Sequence, residues 1–334
     1  MKKIAIIGGG SWGTALAIAL CKSHRPHRVS LWVHHNDIAH MLRERRVNEV
    51  YLPGFELAPE IEITQDFACA LAEADYVLGV MPSAHARAAY TAMRSHLRAS
   101  VPIISATKGI EAETLLRMSE LIADVCGGVS SARIAVFSGP SFAREVARGD
   151  PCAIVIGSHD ATLATEIQEE FFGPSLRLYT NNDVTGVELG GAVKNIIAIA
   201  AGVGEGMELG HNAMAALITR GLAEIMRLGN ALGARSETLA GLAGLGDLVL
   251  TCTGSLSRNR AVGIELGRGK KLSEILRSTR MVAEGVGAAS AVWALAQCHG
   301  VDMPITEQMY AVLYNDRSPR DAMRDLMTRP LKNE

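Results

Sequence analysis

The architecture of this chain is read from one stretch near its start, Ile4-Ala5-Ile6-Ile7-Gly8-Gly9-Gly10-Ser11-Trp12-Gly13-Thr14-Ala15-Leu16-Ala17. Four consecutive apolar residues predict a buried strand, and the small apolar residues after Ser11 predict a helix packed on it. Between them Gly8, Gly10 and Gly13 fit G-x-G-x-x-G at a strand-to-helix junction, the context that gives this pattern its meaning. The first glycine permits a tight turn, the second lets backbone approach a pyrophosphate, and the third lets helix and strand pack closely. The helix N-terminus then faces the anion. Lys2 and Lys3 ahead of an apolar run give a superficial likeness to a signal peptide. The glycines interrupt that run, however, and no convincing small-residue cleavage site precedes the polar stretch from Lys22.

The same alternation continues downstream. Val29–Val33, Tyr76–Met81, Pro102–Ala106 and Ile134–Phe137 are predicted strands, with helix-like stretches between several of them. That order implies a parallel sheet with helices on both faces, which Ala153–Ile156 and Leu176–Tyr179 extend. After about residue 184 the texture changes to long Ala/Leu/Gly-rich segments with helical spacing: Glu188–Ala201, Asn212–Leu232 and Ala283–Cys298. The expected fold class is therefore α/β, an N-terminal Rossmann-type parallel-sheet domain (1–184) followed by a mostly α-helical C-terminal domain (185–334). The boundary is placed near Asn182–Thr185.

Composition excludes several classes. The chain has 334 residues, 48% of them hydrophobic, with 33 Lys+Arg against 35 Asp+Glu. A net charge of -2 argues against non-specific nucleic-acid binding, and the apolar content argues against disorder. No run of about 20 uninterrupted apolar residues is present, so no membrane span is expected. Cys21, Cys69, Cys126, Cys152, Cys252 and Cys298 form no CxxC pair and have no His at metal-ligand spacing. They read as reduced, mostly core thiols of a cytoplasmic protein that holds no metal.

In open α/β sheets, ligands sit beyond the carboxyl ends of the strands. The second strand runs into His34-His35-Asn36, with a carboxylate, Asp37, only afterwards. Neutral or cationic groups there tolerate a ribose 2′-phosphate, which favours NADP over NAD; alternatively the two histidines are plain loop residues. Other strand ends offer Met81-Pro82-Ser83, Thr107-Lys108-Gly109 and Ser138-Gly139-Pro140-Ser141-Phe142-Ala143. Lys108 could meet an anionic group there, or be a solvated loop lysine. Lys194 stands alone in the apolar, small-residue run Gly186–Gly202. Burial would lower its pKa from about 10.4 and suit it to proton transfer, unless it snorkels to solvent. Gly244-Leu245-Gly246-Asp247 sets a carboxylate beside glycines, and Ser257-Arg258-Asn259-Arg260 opens a helical pattern. The latter is either a phosphate clamp or a capped surface helix.

Taken together, GGGSWGTALA, SATKGIE, SGPSFA, GVELGGAVKNIIAIAAG, LITRGLAEI, GLAGLGDLVLTCTGSLSRNR and VAEGV occur in that order through nearly the whole chain. In this the chain resembles the bacterial-type NAD(P)-dependent glycerol-3-phosphate dehydrogenases. The resemblance implies a Rossmann domain with a helical substrate domain. It also implies interconversion of dihydroxyacetone phosphate and sn-glycerol 3-phosphate, which supplies the glycerophospholipid backbone. By position it implies Lys194 as proton donor and acceptor, completed by Asp247 and Thr251. Substrate contacts would be Lys108, Gly139, Ser141, Ser257, Arg258 and Asn259. Cofactor contacts would be Ser11, Trp12, His34, Lys108, Ala143, Arg258, Val282 and Glu284, with Gly8, Gly10, Gly13 and His35 read from the motif and the strand end. The family often carries Arg where this chain has His34-His35, so the resemblance leaves the cofactor preference open; the strand end favours NADP, with NAD as the alternative. A homodimer formed through the apolar helical domain is a further implication. The competing readings are a dehydrogenase of another 3-hydroxy acid and a non-catalytic NAD(P) sensor. Lys194, Asp247 and the SRNR segment occurring together argue against both.

Overall fold

The structure, a computed structural model, describes residues 1–127, 133–277 and 283–331. Its strands are β1 (Lys2–Ile7), β2 (His27–Trp32), β3 (Val47–Asn48), β4 (Leu52–Glu56), β5 (Glu62–Thr64), β6 (Tyr76–Gly79), β7 (Ile103–Ser105), β8 (Ile134–Ser138), β9 (Cys152–Ser158) and β10 (Leu176–Asn181). Among them lie helices α1 (Ser11–Cys21), α2 (Asn36–Arg45), α3 (Phe67–Leu71), α4 (Ser83–Met93), α5 (Met118–Val125), α6 (Ala143–Arg148) and α7 (Ala161–Phe171). The remainder is helical: α8 (Val184–Gly206), α9 (His211–Ala231), α10 (Ser236–Leu239), α11 (Asp247–Thr253), α12 (Arg258–Gly267), α13 (Leu272–Arg277), α14 (Glu284–Cys298), α15 (Pro304–Tyr314) and α16 (Pro319–Met327).

Eight strands form one sheet in the order β10-β9-β8-β7-β6-β1-β2-β5. Ile4, Ala5, Ile6 and Ile7 of β1 have no solvent exposure, because a parallel strand covered on both faces must be apolar throughout. Parallel β1 lies between β2 and β6, so the strand order reverses there and leaves a crevice beyond the carboxyl ends of β1 and β6. The glycine loop after β1 opens into that crevice.

Three features depart from expectation. β9 runs antiparallel to β8, because their connection carries only the six-residue α6 and turns back at Gly149, whose φ is 91°. Strand β5 and the antiparallel pair β3–β4 were not anticipated; at three, two and five residues they are too short to show a period clearly. The thiols are also not mostly core: among the six free cysteines only Cys126 and Cys252 are buried, while Cys69 and Cys298 are exposed.

Beyond the sheet, α8 is the axis. Asp183 caps it by accepting from the Gly186 N–H at 2.8 Å, and every residue from Gly186 to Val203 is buried. This helix is long and apolar enough to cross a bilayer, yet its whole apolar window lies inside the fold. Helices α9, α11, α12 and α14 pack around it. α12 crosses at backbone contact: a Cβ at Gly263 would lie 2.0 Å from the Ile199 carbonyl oxygen. Gly263→Ala should therefore push α12 off α8 and cost about 1–3 kcal/mol, read as a lower thermal midpoint by circular dichroism. An unchanged midpoint would contradict this packing.

Candidate active site

The glycine loop divides its labour as its spacing suggests. Gly8 has φ +131°, and a Cβ there would sit 2.7 Å from the Val80 carbonyl oxygen; at Gly13 a Cβ would fall 1.8 Å from the Gly8 oxygen. Gly10, by contrast, faces open space, with nothing within 4 Å of where its Cβ would be. It is also the N-cap of α1 without a side chain to cap it, so the first-turn N–H groups point into the crevice unfilled by side chain. The indole Nε1 of Trp12, buried beside them, has no hydrogen-bond partner among the described residues. An open cradle of amides with an unpaired donor fits the pyrophosphate of a nicotinamide dinucleotide. His34 and His35 lie exposed at the end of β2, ring centroids 5.0 Å apart, and His35 precedes the first turn of α2. Ala143 opens α6 and is half-buried. Val282 lies outside the described residues.

Across the crevice, three elements converge on one carboxylate. Asp247, 1% exposed, begins α11 directly after a wide helical turn over Leu242–Gly246. Its Oδ1 accepts from Lys194 Nζ of α8, and its Oδ2 accepts from Lys108 Nζ at 2.8 Å. Lys108 extends from the end of β7 and also donates to the Gly139 carbonyl at 2.8 Å and to Ser141 Oγ at 3.2 Å. Thr251, one turn on from Asp247, donates its hydroxyl to the Asp247 carbonyl at 2.6 Å. A hydroxyl has one proton, so a lone pair of Thr251 Oγ1 is left to receive Lys194 Nζ, 2.8 Å away. Burial pushes the Lys194 ammonium down to about 8; Asp247 opposes that shift and the Lys108 charge adds to it. The thiol of Cys252 beside them is pushed up to about 12 by burial and stays protonated.

The SRNR segment is arranged less uniformly than its sequence suggests. Ser257 caps α12 by accepting from the Arg260 N–H at 3.2 Å. Asn259 is buried and donates to Asn195 Oδ1 at 2.8 Å, while its own oxygen accepts from the Gly285 N–H at 2.9 Å. Arg258 alone reaches outward, donating to Ser11 Oγ of the glycine loop at 3.1 Å. Desolvation by the surrounding protein lowers its guanidinium pKa, against the pull of Glu284, although the residue remains exposed. Glu284, first residue of α14, accepts from the Ser83 hydroxyl at 2.9 Å, and burial raises its carboxyl above the usual range. Asn195 and Ser83 were not singled out from sequence, although Asn195 follows Lys194 directly and Ser83 stands at a strand end. Their roles as ties appear only once α8, α12 and α14 are in contact.

A glycine cradle after β1 and a buried lysine–carboxylate pair in the same chain fit a nicotinamide-dependent dehydrogenase. Comparison with known proteins identifies the family. Residues 3–164 match the model of the NAD-dependent glycerol-3-phosphate dehydrogenase N-terminus, and residues 183–324 match that of its C-terminus. The chain is 53% identical over 335 residues to the glycerol-3-phosphate dehydrogenase (NAD(P)+) of Koribacter versatilis, covering 100% of this chain and 99% of the relative. It is 50% identical over 333 residues to that of Geobacter metallireducens, with the same coverage. The crystal structure of glycerol-3-phosphate dehydrogenase from Coxiella burnetii superposes with a TM-score of 0.94 at 40% identity, over 98% of this chain and 99% of that one. The chain belongs to the NAD-dependent glycerol-3-phosphate dehydrogenase family.

Removing the shared carboxylate tests the geometry. Asp247→Asn leaves two ammonium groups without their counter-charge, at a cost of about 3–5 kcal/mol at pH 6. Without Asp247 the folded pKa of Lys194 falls further below the unfolded value of about 10.4, so the folded state sheds a proton that the unfolded state keeps. The stability gap between variant and wild type should therefore shrink towards pH 9, where Lys194 is neutral in both folded forms. A gap that is independent of pH in denaturant titrations would contradict the pairing.

Proposed function

We propose that this chain interconverts dihydroxyacetone phosphate and sn-glycerol 3-phosphate, with Lys194 as the proton-transfer group and Arg258 as the principal phosphate contact. Residues 1–184 form the dinucleotide domain and 185–334 the substrate domain. Gly8, Gly10, Ser11, Trp12, Gly13, Ala143 and Glu284 would hold a reduced nicotinamide dinucleotide, which would supply the hydride for the substrate ketone. Lys194 in its ammonium form polarises the ketone oxygen and gives it a proton as negative charge develops there. In the reverse direction neutral Lys194 takes that proton from the alcohol. Asp247 and Thr251 fix the amine so that its remaining N–H points at the substrate. Lys108, beside the Gly139–Ser141 loop, adds a second positive group next to the reacting oxygen.

The phosphate is remote from the reacting carbon, so its binding orients the ketone rather than reacting. Arg258 grips it together with the α12 N-terminus, where Ser257 and Asn259 hold the turn in shape. His34 and His35 accept a 2′-phosphate in place of the carboxylate that would select NAD, which makes NADP the preferred cofactor. The product serves as the glycerophospholipid backbone. The working form is a cytoplasmic homodimer without membrane insertion.

The observation that carries this reading is the convergence of Lys194, Lys108 and Thr251 on buried Asp247. Lys194→Met should lower turnover by roughly 10²–10⁴-fold while leaving NADPH affinity unchanged by fluorescence titration. Normal turnover would remove Lys194 from the mechanism. Arg258→Ala should lower kcat/KM for dihydroxyacetone phosphate about 10- to 100-fold, the loss of one charge-assisted hydrogen-bond site at ~1.5–3 kcal/mol. Unphosphorylated dihydroxyacetone should be used equally poorly by both forms; an equal loss on both substrates would sink the clamp.

A further inference from the structure

Glu188 lies in the same helix as Lys194, inside the Gly186–Ala192 run, yet nothing in the chemistry above uses it. It is 8% exposed and fully engaged. Its carboxylate accepts from the Ser119 N–H and the Ser119 hydroxyl, both at 2.7 Å, and from Arg117 Nη1 at 2.5 Å. All three donors come from one place, where the 106–117 loop passes into the first turn of α5. That loop is folded back on itself by a bridge between Ile110 and Arg117, and the Glu111 N–H donates to the Leu116 carbonyl at 3.0 Å. Arg87 pins its outer side through two bonds of 2.8 Å to Glu111. Two residues before Ile110 stands Lys108, whose amine reaches Asp247. A second tie from α8, the Asn195 amide donating to the Lys108 carbonyl at 3.4 Å, meets the loop at that point.

One helix thus carries Lys194 itself and grips both ends of the loop that carries Lys108. Neutralising Arg117 does not require Glu188, since Glu120 accepts from Arg117 Nη2 at 2.6 Å. We infer that Glu188 is a positioning residue for the reaction: by clamping Arg117 and Ser119 it sets the reach of Lys108 to Asp247, and so the sharing of that carboxylate between the two lysines. The inference rests on the proposed roles of Lys108 and Lys194. It has a signature that a purely structural carboxylate would lack. When Lys108 withdraws, Lys194 loses a neighbouring positive charge and gains the undivided carboxylate, so its ammonium form persists to higher pH.

A double-mutant cycle tests this with Glu188→Gln, Lys108→Ala and the pair together, measuring kcat/KM for dihydroxyacetone phosphate against pH and the NADPH dissociation constant. E188Q alone should lower kcat/KM about tenfold, as displacement of a positioned group does, and move the alkaline limb of ketone reduction to higher pH with NADPH affinity unchanged. In the K108A background the same substitution should add less than about a further twofold. Ser119→Ala removes one hydroxyl donor and keeps the Arg117 pair; it should act in the same direction by a smaller factor, and it completes the cycle if E188Q does not fold. An equal loss in both backgrounds, or an unmoved alkaline limb, overturns the inference while the role of Lys108 stands. Wild-type kcat/KM in K108A contradicts the role of Lys108 itself, and the inference falls with it.

Discussion

Two ammonium groups sharing one buried carboxylate is the constraint on which the rest of this molecule depends. Lys194 and Lys108 both meet Asp247, itself 1% exposed, so the cluster carries an excess positive charge in a place where water cannot screen it. Such a cluster is costly to bury and would be a poor choice for stability alone. It is well suited to a site where an oxygen becomes negative, because the field is already in place when the charge develops. Burial is the main reason Lys194 is held below the usual lysine range, and Lys108 adds to it against the help of Asp247.

Holding that cluster requires three chain segments distant in sequence to meet, and α8 arranges the meeting. It supplies Lys194, receives α11 with Asp247 and Thr251, and ties to the loop after β7 through Glu188 and Asn195. Its packing against α12 places Arg258 where the guanidinium reaches Ser11 of the glycine loop. The proposed phosphate contact and the glycine loop are therefore neighbours.

Much of this was legible in sequence, for physical reasons that can be named. A strand covered on both faces must be continuously apolar, so β1 announced itself, and the glycines after it could be assigned because each answers a separate steric demand. A single lysine in an apolar helix stood out for the same reason. Less was visible where short segments or tertiary partners decide the outcome. β5 and the β3–β4 pair are too brief for a period, and the reversal of β9 depends on how α6 turns back. Cys69 and Cys298 are exposed because apolar residue type alone does not say which face of a helix a thiol occupies. Ser257 and Asn259 were read either as part of a phosphate clamp or as part of a capped helix; Ser257 does cap α12, while the links of Asn259 to α8 and α14 are tertiary ties that no local pattern encodes. Glu188 was quoted in a motif without a role, since its partners lie about 70 residues earlier, at separations of 69 and 71.

Everything above turns on the protonation of one amine near neutral pH. It can be followed by heteronuclear NMR of the full chain with isotopically labelled lysine side chains, the Lys194 signal being assigned by its loss in Lys194→Met. The structure predicts a titration midpoint of about 8. A midpoint close to the ordinary lysine value of about 10.4 would mean that neither burial nor Lys108 bears on the amine as described, and would contradict the account.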